Sequence, residues 1–194
     1  MNPLKSASGA IALGFAVAFG VMLVLGTGEF NLWSFTVWLH VLFGVVWVGL
    51  LYYFNFVQMP AVAAASADSD GPGPAAINRY IAPRALAWFR WGAIGTWVTG
   101  ASALESMGVG LLNAFTLSDG AAVIGLGAWL GTIMLFNVWV LIWPNQQKIL
   151  GLVAATDEEK TRARGIALMA SRVNTLLSVP MLMCMVGYAH GLPF

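Results

Sequence analysis

His40 and His190 are the only two histidines in the 194-residue chain, and each sits in an apolar stretch. An ionisable side chain inside a membrane segment is costly and usually functional. Counted along the helices set out below, His40 lies about seven residues, ~10 Å, beneath the outer end of the second span, and His190 lies at the outer end of the fifth. Two imidazoles from facing helices are the donor set of a b-type haem: neutral nitrogen on both axial positions, with the macrocycle between helices. Gly44 is one turn below His40 and Gly187 nearly one turn below His190, so the missing side chains leave room for a flat porphyrin. His40, His190, Gly44 and Gly187 therefore form the candidate cofactor site, with haem b as the cofactor. Counting alone sets His190 several ångströms higher than His40 unless the fifth helix is tilted or shifted. Other readings stay open: His40 as a hydrogen bond to a neighbouring helix with His190 at the interface, or a single axial histidine with a different partner.

A second polar set lies toward the other end. His40, Gly44, Trp47, Leu51, Asn55 and Gln58 follow one another by steps of three and four, sharing one helix face that turns polar at its lower end. Arg90, Asn137, Arg172 and Asn174 come to similar depth from other helices, and Asn145 and Gln146 follow the fourth. A guanidinium offers paired donors, and carboxamides both donate and accept. Asn55, Gln58, Arg90, Asn137, Asn145, Arg172 and Asn174 thus make a candidate cradle for a small planar anion. The same residues also suit snorkelling arginines and amide bridges between helices. Met181, Met183, Cys184 and Met185 point in different directions around a helix and cannot converge on one ion. A single cysteine excludes an internal disulfide and a Cys-based zinc site. The sequence shows no nucleophile–base set, phosphate loop or paired carboxylates within the apolar runs.

Positioning these groups requires membrane helices. Apolar residues make up 59% of the chain and charged residues 9%, too few charges to cover a soluble globule. In lipid the backbone must be satisfied within helices or a closed barrel, and the long runs lack the period-two alternation of a barrel. The expected fold is all-α: a polytopic bundle of about five transmembrane helices, a single membrane domain over residues 1–194. The spans are expected at about 8–25, 33–59, 82–106, 119–143 and 171–190, with connections at 61–81 and 144–170. Pro60 and Pro144 are expected to end helices, and Pro180 to kink the fifth. Thr27-Gly28-Glu29 makes a poor signal-peptide cleavage site, so the first run is kept as a helix. Thr156 with Glu159 three residues on reads as a helix start.

With five spans and an inner N-terminus, every Lys and Arg falls on one side, while Glu29, Glu105 and Asp119 lie near the other. The bias places the N-terminus in the cytoplasm and the C-terminus in the periplasm. No basic stripe interleaves with aromatics, which argues against nucleic acid. No pair of interrupted helices recurs in corresponding halves, which ranks a channel or carrier last.

Three strings carry a resemblance. His40 to Gln58 (HVLFGVVWVGLLYYFNFVQ), Trp143 to Lys148 (WPNQQK) and Ser171 to Pro180 (SRVNTLLSVP) are similar to the membrane domain at the N-terminus of bacterial cytochrome-c-fused urate oxidases, or urate hydroxylases. The resemblance implies a multi-pass bacterial inner-membrane protein tied to cytochrome-linked electron transfer. It adds weight to His40, His190, Asn55, Gln58, Asn145, Arg172 and Asn174. No Cys-x-x-Cys-His occurs, so a separate cytochrome c or larger respiratory complex is expected to accept electrons. The expected function is a membrane-bound haem b redox protein, possible as an oxidoreductase of urate-oxidase type. The alternative is a non-catalytic subunit of a larger membrane complex, or a homo-oligomer.

Overall fold

The long apolar runs all become helix. The computed structural model describes residues 2–26, 28–118 and 120–193, and no strand occurs among the described residues. Thr27 and Asp119, the latter taken above as the start of the fourth span, lie outside them.

The chain divides into two units at Asn31. The first contains α1 (Ala7–Leu25), whose N-cap Ser6 accepts from the Gly9 backbone N–H. None of its residues is buried, as expected of a helix whose solvent is lipid.

The second unit is a helical bundle. It comprises α2 (Leu32–Tyr53), α3 (Met59–Ala67), α4 (Ala82–Ser106), the short α5 (Leu111–Thr116), α6 (Ala122–Phe136), α7 (Trp143–Ile149) and α8 (Asp157–His190). Among the described residues, four helical stretches are long and apolar enough to cross a membrane: Ala7–Leu25, Leu32–Ala67, Ala122–Ile149 and Asp157–His190. α4 matches its expected bounds and has 25 residues, but its arginines and small polar residues keep it out of that set. The short α5 was not foreseen.

The principal correction concerns proline. Pro60 and Pro144 do not end helices. The second stretch continues to Ala67 and the fourth to Ile149, each through one π turn: Phe54–Gln58 and Asn137–Ile142. A third π turn, Ile77–Ile81, precedes Pro83. Proline cannot donate to the carbonyl four residues back, and its ring collides with it. Those carbonyls belong to Phe56, Arg79 and Val140, each inside a π turn. The extra residue of a π turn shifts the carbonyl aside and lets the helix go on. α8 runs unbroken through Pro180, and its start carries the capping box of Thr156 and Glu159 read from the sequence.

α2 and α4 pack antiparallel along their length. Thr36 meets Ser106 at one end, and Phe54 meets Phe89 edge-on near the other. Glycines on α4 permit this approach. A Cβ at Gly95 would run into the Phe43 ring, and Gly92 lies against Val46 and Trp47. In lipid such close packing, rather than water exclusion, holds helices together. The core gathers Trp47, Leu51, Phe54, Leu86, Phe89, Met134, Val138 and Ile142, with Ala170 and Met181 from α8.

Candidate functional site

His40 reaches from α2 to α4. Its Nδ1 lies 2.7 Å from the Thr96 backbone carbonyl. A carbonyl can only accept, so the imidazole donates through Nδ1–H and its lone pair is on Nε2. That tautomer is the one metal-ligating histidines commonly hold, with the far nitrogen left to coordinate. The ring lies on Gly100: a Cβ there would come within 2.8 Å of Cε1 and 2.9 Å of Nδ1. Gly100 is the residue that admits the imidazole. Gly44 faces the Thr96 methyl at an ordinary 3.9 Å.

His190 is the last residue of α8 and is exposed. The space over Gly187 is taken by Leu192, whose Cδ2 would lie 2.6 Å from a Cβ there. A hydrogen bond joins α2 to α8, Tyr52 Oη to Ser178 Oγ at 2.9 Å. His40 and His190 each stand twelve residues beyond that bond toward the same end. Each is thus ~18 Å along its own helix. Counted instead from the bond of Asn55 Nδ2 to Ser171 Oγ, they stand fifteen and nineteen residues away, which leaves His190 ~6 Å the farther out. His40 thus keeps a lone pair on Nε2, and His190 is unburied toward the same end of the bundle.

At the opposite end of the bundle lies a cavity of about 320 Å³. Its polar lining is Gln58, Asn78, Gln146, Arg164 and Ser171, against apolar walls that include Phe54 and Phe89. All three π turns contribute to it, through Phe54 and Gln58, Asn78, and Ile142. Such turns recur at functional sites because they break the regular pattern of side-chain directions. Gln58 is buried, and its Oε1 has no hydrogen-bond partner. A buried acceptor left empty costs about 1–3 kcal/mol.

Of the seven residues read as a cradle, Gln58 lines this cavity, and Asn55 adjoins it by donating to Ser171 Oγ at 2.8 Å. The others are placed elsewhere. Asn137 donates to Asn174 Oδ1 at 2.8 Å, and Asn174 donates to the Met134 carbonyl at 3.0 Å. Asn145 donates to the Leu141 carbonyl. Asn55 likewise serves the Leu51 carbonyl. These amides satisfy carbonyls beside the π turns and tie α8 to α6 and α2. Arg172 is exposed. Arg90 stacks on Trp143, its Cζ 3.2 Å from the ring centroid, and is not part of the cavity lining. Sequence reasoning left Asn78, Arg164 and Ser171 out of the cradle. The available signal was a polar residue a few positions before a proline on a helix, which marks both Gln58 and Asn78.

Residues 106–194 match the family described as urate oxidase N-terminal, and the chain is related to that family. The matched part contains the strings at Trp143 and Ser171 but not the one from His40 to Gln58. Neither the curated proteins nor the solved structures contain a match to the chain.

Proposed function

We propose, starting from the relation to the urate oxidase N-terminal family, that this chain is a multi-pass bacterial inner-membrane redox protein. It holds a b-type haem between His40 and His190 near the periplasmic face and passes electrons to a periplasmic cytochrome c or respiratory component. The carrying observation is His40: a ring fixed by Nδ1–H to the Thr96 carbonyl, leaving Nε2 as a lone-pair donor. His40 and His190 would be the axial ligands, and Thr96 and Gly100 would hold the first of them in place. The haem would supply one-electron exchange at its iron.

Five spans support this arrangement. α4 lies along α2 from Thr36–Ser106 to Phe54–Phe89, so it crosses wherever α2 crosses. The eight cations of the second unit then collect at the cavity end, which makes that end cytoplasmic. The cavity takes a small polar molecule with a donor for Gln58 Oε1 and an acceptor group for Arg164. The family relation makes urate the first compound to try.

The test is a reduced-minus-oxidised spectrum of protein made with ample haem. Soret and alpha bands of a b-type haem are expected, and they should vanish in His40→Ala. Their absence in the wild-type protein removes the redox reading.

A further inference from the structure

Arg90 carries a partly buried charge within α4. The seven described carboxylates stand in connections or within the first or last three residues of a helix: Glu29, Asp68, Asp70, Glu105, Asp157, Glu158 and Glu159. Among the described residues none forms a salt bridge with Arg90. Its Nε and Nη1 are buried with no hydrogen-bond partner, and so is Nε1 of Trp139. Trp139 belongs to the π turn Asn137–Ile142, and Trp143 follows one turn later. The two indoles flank the guanidinium, with Arg90 Cζ 5.8 Å from one centroid and 3.2 Å from the other.

Every orphaned atom in this cluster is a donor. Ring stacking stabilises the cation but leaves its N–H groups unmet, because those lie in the guanidinium plane and not over its face. Trp143 covers one face, so an acceptor has to arrive in the guanidinium plane, where a charged oxygen makes the strongest hydrogen bond. A side chain on a helix leans toward the N-terminal end, and for Arg90 that end of α4 is the one where the cations gather. The requirement is independent of haem and of the cavity.

We propose that Arg90, Trp139 and Trp143 form a binding site for an oxyanion, a phosphate or carboxylate group, supplied by a membrane lipid headgroup or by a free anion. Arg90 meets the oxyanion in the guanidinium plane through its unmet Nε–H or Nη1–H, Trp139 Nε1–H adds a further donor, and Trp143 holds the guanidinium plane.

The experiment uses the full chain purified in maltoside detergent, read by thermal unfolding and tryptophan emission. One arm adds phosphatidylglycerol, and the other adds sodium phosphate against sodium chloride at equal ionic strength. At least one arm is expected to raise the Tm and perturb the emission saturably. A response to the lipid alone assigns a headgroup, and a response to phosphate assigns a free anion. Arg90→Gln should abolish the response. Trp139→Phe keeps the ring and loses one donor, so its affinity should fall about tenfold. Trp139→Phe also tests the site if Arg90→Gln does not fold. No saturable response in the wild-type protein, or unchanged affinity in either folded variant, overturns the proposal.

Discussion

The two ends of the α2–α4 pair follow different rules. Toward the His40 end the hydroxyls of Thr36, Thr96, Thr99 and Ser106 all bond back to carbonyls of their own helix, and His40 finds a carbonyl on its neighbour. The helices there are regular, and glycines let them touch. Toward the cavity end come the π turns, the cavity and the orphaned polar atoms of Gln58, Arg90 and Trp139. In lipid, an unmet polar group has no water to fall back on. The contrast teaches that one end is built to hold a ring in place and the other to receive something the chain does not supply.

The sharpest way to break this comparison is to attack the amides that make the irregular end stable. Asn174→Leu removes its own two hydrogen bonds and strands the Asn137 amide beside it. Stranding buried partners costs more than deleting a pair outright, so a loss of about 2–4 kcal/mol is expected in reversible unfolding from detergent. A loss under ~0.5 kcal/mol would mean that Asn137 and Asn174 serve a ligand and not the fold.

Next in size is Gly100→Val. Its Cβ would enter the space of the His40 ring. Overpacking of this kind costs about 1–3 kcal/mol, and any b-type absorbance should be lost with it. A variant with intact absorbance would place the haem away from His40.

Much of this was legible beforehand, for definite reasons. Helix type follows from apolar length, and the bounds of α4 and the Thr156 cap follow from local chemistry. The behaviour at Pro60 and Pro144 was misread because proline's local cost was weighed without the π turn that relieves it. Gln58 was found because helical periodicity put it on the His40 face. Asn78 and Arg164 were missed because they fall in 61–81 and 144–170, stretches expected to be connections, whereas a π turn holds the one and α8 the other. The roles of Asn137 and Asn174 depend on a pairing across 37 positions, which spacing does not encode.

Gln58→Leu sharpens the comparison from the other side. It replaces a buried amide whose oxygen is unmet with an apolar group of similar reach. Stability should stay within ~1 kcal/mol of the wild-type value or rise, while urate binding to the purified protein, measured by equilibrium dialysis, is lost. A large destabilisation with binding intact would make Gln58 a structural residue.

The smallest effect is expected from Thr96→Val, and it isolates what His40 requires. The Thr96 hydroxyl bonds to the Gly92 carbonyl at 2.7 Å, within its own helix. Losing such a local bond costs little, because side-chain back-bonding contributes weakly to a helix that is already formed. The bond to His40 is made by the Thr96 backbone carbonyl, which valine retains. Stability should change by ~0.5 kcal/mol or less, within the usual range for substitutions that disturb no buried network, and a haem spectrum should be unshifted. If Thr96→Val instead moves the spectrum while Thr99→Val does not, the hydroxyl takes part in setting the imidazole. The regular end of the pair would then owe its histidine to a side chain as well as to the backbone.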